Sequence, residues 1–170
     1  AETSYKMQLR LFKAQFDADA ALVGMERTNL ELIDARRSAQ RQAEFDNLTG
    51  VRNRLAFIHD VEAKLDGGQC GLLAVIDLDR FKPINDLYGH HAGDVVLRHV
   101  ARRLQRVSPA GTIVGRLGGD EFAVLLETRA GAGMLIERAH RFLSVIRDPF
   151  ELDGQVYRIS GSIGIAKGAD

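Results

Sequence analysis

The sequence predicts an α+β domain with a ferredoxin-like βαββαβ core, preceded by a long N-terminal helix. Three observations predict it. Residues 1 to about 45 hold no proline and one glycine, Gly24, so the chain can stay helical throughout. Short apolar runs at 72–76, 112–114, 122–126 and 157–165 read as strands. Helical stretches at 84–107 and 134–146 fall between them, in the order strand, helix, strand, strand, helix, strand. That order is the split βαβ pattern.

Composition bounds the function. The 170 residues suffice for one domain and an extension, and an apolar content of 45% suits a packed core. Lysine plus arginine equals aspartate plus glutamate, 23 of each, so the formal net charge is zero. A protein built to hold nucleic acid would show a basic excess, so no nucleic-acid partner is expected. A nucleotide substrate needs only local positive charge. The single cysteine, Cys70, excludes an internal disulfide and a cysteine-rich zinc site, and it suits a reducing cytoplasm. No run approaches the ~20 apolar residues of a membrane helix, and no secretory signal pattern is present. The sequence opens on Ala1, as expected of a piece of a longer chain whose sensor or membrane anchor lies outside it.

The elements follow in order. In the first 45 residues, Leu9, Phe12, Phe16, Val23, Leu30 and Ile33 form a stripe at three- and four-residue spacing, interrupted by Asp19 and Glu26. A second stripe runs through Leu22, Met25 and Leu32, which suggests a register shift near Gly24. Charges balance at seven of each sign, as on a solvated coil. The pattern fits a helix packed on its own domain and a dimeric signalling coil equally well. The boundary falls at 45/46, where the turn-rich Asp46-Asn47-Leu48-Thr49-Gly50 ends the helix. The next helix, 54–65, is expected to turn Leu55, Phe57, Ile58, Val61 and Leu65 inward, with Gly67-Gly68 as its stop. The strand at 72–76 leads into Asp77-Leu78-Asp79, and Gly89 and Gly93 mark a bend in the following helix. Gly118-Gly119 is a tight turn between two strands, and Asp153-Gly154 is a hairpin signal. Tyr157, Ile159, Ile163 and Ile165 then alternate inward along the last strand.

The acids carry the chemistry. Asp77 and Asp79 lie two apart at a strand end and share a face. Asp120 and Glu121 sit at the turn of the neighbouring hairpin. The fold would bring both pairs to one site. Taken singly, each is an ordinary turn acid. Gathered together they repel unless a cation or proton intervenes, and such oxygen ligands suit Mg²⁺ or Mn²⁺. Two such ions can activate a hydroxyl and stabilise the leaving oxygen in phosphoryl chemistry. There is no GxxxxGK[ST] loop. His59, His99 and His140 show no ligand spacing and read as structural or surface residues.

These residues resemble the GGDEF family of diguanylate cyclases. The signature Gly118-Gly119-Asp120-Glu121-Phe122 is intact, and the family's typical arginine precedes it at Arg116. Residues 46–54 are similar to DxLTGLxNR, residues 77–86 to DxDxFKxxND, residues 89–94 to GHxxGD, and residues 162–166 to the SIGIA strand. The resemblance implies a nucleotidyl-cyclase, polymerase palm-like fold that joins two GTP into cyclic di-GMP and releases two pyrophosphates. It implies a homodimer, with the N-terminal helix joining the pair and two active sites facing each other. It also implies that Asp77, the Leu78 carbonyl and Asp120 bind metal. Glu121 would assist deprotonation of the 3′-hydroxyl and touch a second metal. Asn85 and Asp94 would read the guanine edge. Lys82 and the backbone around Phe81 would hold phosphates, with His90 near the nucleotide and Arg116 a further substrate contact.

The sequence departs from the family at two places. The inhibitory RxxD positions read Pro109-Ala110-Gly111-Thr112, so no product inhibition is expected there. Family domains also continue past the SIGIA strand into a helix whose lysine and a later arginine grip the phosphates. Residues 46–170 read as a domain lacking that C-terminal helix, with weakened GTP binding expected of this chain alone. The segment 149–154 resembles versions followed by a cyclic di-GMP phosphodiesterase domain. A second reading therefore stays open: a catalytically silent GTP-binding module that controls such a fused phosphodiesterase.

Overall fold

Alternating burial along the central strand organises the structure. The computed structural model describes residues 2–67, 71–127, 132–152 and 154–167. Gly68, Cys70, Asp153 and residues 168–170 lie outside the described residues, as do the side chains of Leu9, Phe12, Phe16, Asp19 and Val23. The chain divides into two units, Ala1–Arg41 and Gln42–Asp170. Helix α1 (Glu2–Glu44) makes up the first, with its last residues, 42–44, in the second, and runs through Gly24 as one element. Its described apolar side chains, Met7, Leu22, Met25, Leu30, Leu32 and Ile33, are all exposed. Arg27 and Glu31 form an exposed ion pair one turn apart, 3.0 Å between Nε and Oε1.

The second unit contains α2 (Arg54–Asp66), β1 (Gly71–Asp79), α3 (Phe81–Val107), β2 (Ile113–Gly118), β3 (Glu121–Glu127), α4 (Ala132–Arg147), β4 (Phe150–Leu152), β5 (Gln155–Tyr157) and β6 (Ser160–Lys167). The main sheet has the order β2-β3-β1-β6, and each neighbouring pair is antiparallel. Each helical crossover skips one place and another strand fills the gap, as the split βαβ arrangement requires. The hairpin β4–β5 is a separate two-stranded sheet.

Along β1, Leu72, Ala74, Ile76 and Leu78 are buried, whereas Val75 and Asp77 are exposed. The buried face packs with Val96, Val100 and Leu104 of α3 and with Leu135, Phe142 and Ile146 of α4. Each such fully buried side chain contributes about 1.5–3 kcal/mol. On the opposite face, Phe57 of α2 packs with Ala123 and Leu125 of β3.

Three sequence expectations change here. β1 continues through Asp79, because Leu78 pairs with Gly161 and Asp79 with Ser160 of β6. The last strand starts at Ser160, while Tyr157 belongs to β5; Ile165 is 42% exposed because β6 is an edge strand with one neighbour. In α2, Leu55, Ile58 and Leu65 are exposed rather than inward. That helix packs against β2, so one narrow stripe around Phe57 is covered.

Two polar devices hold the frame. Asn53 caps α2 by accepting from the Ala56 N–H at 2.9 Å, and its Nδ2 donates to the Ala43 carbonyl at 2.8 Å. Arg103 of α3 donates to the carbonyls of Val145, Ile146 and Asp148, and to Pro149 at 2.7 Å. It thereby satisfies the orphan carbonyls where α4 ends. Arg103→Met is expected to cost about 1.5–3 kcal/mol in urea unfolding. Arg103→Lys should recover less than half of that, because a single ammonium cannot span the fork. Full recovery by lysine would show that charge alone matters.

Candidate active site

The register of β1 decides where the acids go. Asp77 stands directly opposite Glu121 on β3, and opposite Ser162 on β6. Directly opposed residues project from the same face, with Cα atoms about 4.5–5.5 Å apart. Asp120 lies in the turn between β2 and β3, immediately before Glu121. Among the described residues, no hydrogen bond or ion pair engages the carboxylates of Asp77, Asp120 or Glu121. Like charges set opposite each other across strands destabilise a sheet.

The expected convergence of two carboxylate pairs is not what forms. Asp79 accepts from Ser160 Oγ and Ser162 Oγ, both at 2.8 Å. These hydrogen bonds tie it to β6 and hold its carboxyl below the usual range, with Arg147 and Arg80 adding a smaller effect. The sequence had shown the strand-end spacing but not that two serines of the edge strand would claim the second acid.

The turn is shaped by glycines and fixed by an arginine. Gly118 and Gly119 have φ of 150° and 50°, a conformation that side chains disfavour. Arg116 donates from Nε and Nη2 to the Gly119 carbonyl, at 3.0 and 2.7 Å. Its Nη1 lies 3.2 Å from Asp46 Oδ1. Asp46 also accepts from the Thr49 N–H at 2.9 Å and the Thr49 hydroxyl at 2.6 Å. Arg116, expected to contact substrate, is thus committed to the turn and to the 46–50 loop. Nothing local in the sequence marks its pairing with Asp46, 70 residues earlier. Burial alone would push the Asp46 carboxyl up, but Thr49 and Arg116 outweigh it and hold the carboxyl below its ordinary value. A depressed folded-state value contributes stability that is complete above the unfolded value, about 3.9. That contribution fades as pH falls through the lower folded value. The stability gap between the parent and Asp46→Asn should therefore be constant near neutrality and narrow below about pH 4. A pH-independent gap in urea unfolding would mean that the charge is not what matters.

At the other end of β1, the chain enters α3 through Arg80, which has φ of 57° and ψ of 35°. Phe81 turns its side chain into the core at 8% exposure, so only its backbone can serve a ligand. Leu78 is buried in the same way, and its carbonyl is what it can offer. Lys82 and His90 are exposed. α3 is broken at Gly89 (φ 81°, ψ 162°), which bears out the expected bend there, whereas Gly93 stays helical. Past the break, Gly93 lies against Asn85: a Cβ built on Gly93 would stand 2.0 Å from Asn85 Oδ1. Gly93 therefore lets Asn85 pack directly against the second segment of α3.

A cavity of about 350 Å³ opens between α2 and the sheet. Phe57, Val61, Leu73, Val75 and Ala123 line it, with Glu121 among them. Glu121 thus shares a largely apolar lining, in which Arg54 and Glu62 are the other charged residues, and stands opposite the exposed Asp77. Among the described residues, no group of three or more His, Cys, Asp or Glu side chains is gathered for a metal ion. An opposed pair of otherwise unengaged carboxylates instead fits Mg²⁺, which takes one or two carboxylates and completes its shell with water and substrate phosphates.

Comparison with known proteins resolves the family. The model described as "Diguanylate cyclase, GGDEF domain" matches residues 43–169. The chain belongs to the GGDEF domain family. This GGDEF domain is 39% identical over 149 residues to the bifunctional diguanylate cyclase/cyclic di-GMP phosphodiesterase MucR of Pseudomonas aeruginosa, covering 84% of the chain and 20% of MucR. It is 38% identical over 156 residues to the diguanylate cyclase TpbB of the same species, covering 88% of the chain and 36% of TpbB. Both relatives are therefore much longer than this chain. Among solved structures, the coiled coil and GGDEF domain of DgcB from Caulobacter crescentus, in complex with c-di-GMP, aligns with a TM-score of 0.75. The identity there is 28%, over 88% of this chain and 82% of that one. The fold is the mixed α/β GGDEF fold, with the palm-like sheet that the sequence predicts. Among the described residues, no helix is long and apolar enough to cross a membrane.

Proposed function

We propose that this GGDEF domain is a Mg²⁺- or Mn²⁺-dependent diguanylate cyclase that condenses two GTP into cyclic di-GMP. The observation that carries the reading is the β1–β3 register, which sets Asp77 opposite Glu121 beside the Asp120 turn. Asp77, the Leu78 carbonyl and Asp120 would hold the metal, with Glu121 touching a second ion. When bound, the metal would neutralise charge that builds on the phosphates. Glu121 accepts the proton of one GTP's 3′-hydroxyl. The freed oxygen attacks the α-phosphorus of the other GTP, and the bond to pyrophosphate breaks. A second, symmetric attack closes the ring and releases the second pyrophosphate. Asn85 and Asp94 face the guanine edge, Lys82 and the backbone at Phe81 lie toward the phosphates, and His90 lies near the nucleotide. Arg116 acts by holding the turn.

Two such sites must face each other, so the working form is a homodimer. The exposed Leu22, Met25, Leu30, Leu32 and Ile33 of α1 support pairing through that helix. We read residues 1–45 as the signalling helix and the following residues as the catalytic domain. Its substrate places the domain in the cytoplasm. Residues 109–112 lack the arginine and aspartate of the product-binding motif. The likeness to bifunctional MucR supports a fused phosphodiesterase domain.

Incubation of the chain with GTP and Mg²⁺, followed by chromatography, should yield cyclic di-GMP and pyrophosphate in a 1:2 ratio. Binding of GTP without product would reject the cyclase reading in favour of a silent module that regulates a fused phosphodiesterase.

A further inference from the structure

The break in α3 separates the two residues read as guanine contacts. Asn85 lies in the segment before Gly89 and Asp94 in the segment after it. Their spacing therefore depends on the angle at one non-helical residue and on the seat of Asn85 against Gly93 across the break, and neither glycine alone fixes an angle.

A strut of aromatic rings spans that break. Tyr88, the last residue before Gly89, meets Tyr157 of β5 edge to face, with centroids 4.8 Å apart and an interplanar angle of 89°. Tyr157 stacks on Phe150 of β4 at 5.6 Å and 17°. Phe150 stacks in turn on His99, in the second segment of α3, at 5.6 Å and 22°. The Arg103 guanidinium lies 5.8 Å from the Phe150 ring centroid. The β4–β5 hairpin, which adds nothing to the main sheet, thus joins both segments of the broken helix through four rings. Aromatic pairs at these separations are directional, so they resist a change in angle more than apolar contact alone would.

We propose that Tyr88 and Tyr157 are positioning residues for base recognition: their contact sets the angle at Gly89 and so holds Asn85 and Asp94 at the spacing of one guanine edge. The proposal rests on the reading that Asn85 and Asp94 face the base. Their hydroxyls are not needed for it, because the T-shaped contact is made by the rings.

The test is calorimetric binding of 3′-deoxy-GTP and 3′-deoxy-ITP, which lack the attacking hydroxyl and bind without reacting. Inosine lacks the 2-amino group of guanine, so the ratio of the two dissociation constants reports the reading of that group alone. Tyr88→Leu and Tyr157→Leu are expected to lower that ratio about tenfold, the worth of one hydrogen bond. Tyr88→Phe and Tyr157→Phe should keep the parent ratio. A general loss of packing would weaken both nucleotides equally, and an unchanged ratio in the leucine variants would overturn the strut. Asn85→Ala separates the two readings. If it lowers the ratio and the leucine variants do not, the strut alone fails. If it does not, Asn85 does not read the 2-amino group, and its assignment to that part of the guanine edge fails. Thermal melts of each leucine variant, alongside its phenylalanine counterpart, check that the fold is kept.

Discussion

Asp77→Asn and Glu121→Gln should each abolish most cyclic di-GMP formation and leave the metal-free protein as stable as the parent, or more so. The loss of turnover is expected to be about 10²–10⁴-fold, the range for removing a group that moves a proton in the transition state or helps hold the catalytic cation. The stability effect has the opposite sign. Asp77 and Glu121 face each other in register, and no cation among the described residues engages either. Removing one of two opposed like charges stabilises a sheet by about 0.2–1 kcal/mol. Urea unfolding in EDTA should therefore favour both variants slightly. Adding Mg²⁺ with GTP should raise the midpoint of the parent more than that of either variant. If either variant is markedly less stable in EDTA, its acid does structural work and the metal-site reading loses its basis. A conflict kept inside a sheet at the expense of stability is the pattern expected where function has overridden packing.

The legible part of this protein was the part written in local patterns. Short apolar runs at 72–76, 112–114 and 122–126 and alternation along 157–165 marked the strands, and the element order marked the topology. The signature acids and the glycine pair were legible because the turn demands those residue types. Long-range pairings were not legible. Asp79 has the same local setting as Asp77, and only the β1–β6 register reveals that Ser160 and Ser162 take it out of the cluster. Arg116 resembles a ligand-facing arginine until its reach to Asp46 is seen. The covered stripe of α2 is narrower than its periodicity predicts, because periodicity does not say how wide a surface a helix covers. The aromatic strut joins Tyr88, His99, Phe150 and Tyr157 from three elements, with no spacing that a sequence pattern could detect.

Phe122→Ala should be the most destabilising single change in the signature, at about 3–5 kcal/mol. That is a large share of the ~5–15 kcal/mol that holds a domain folded. Phe122 is fully buried and pairs with Ile76 on β1 and Arg116 on β2. Its ring belongs to the core cluster on the α3–α4 face, while Glu121, one residue earlier, projects from the other face beside the cavity. The signature is thus divided between chemistry and packing by strand alternation: residue 122 fills the core from one face of β3 while residue 121 stands on the other. Phe122→Leu keeps most of the volume and should cost under about 1.5 kcal/mol. It should retain cyclase activity at temperatures where it is folded, because the strand, rather than the ring, aims Glu121. Phe122→Ala should lose activity in step with its unfolded fraction. If instead Phe122→Leu were stable in urea yet inactive with GTP, the ring would have a direct part in the site, and the division between the two faces of β3 would be wrong.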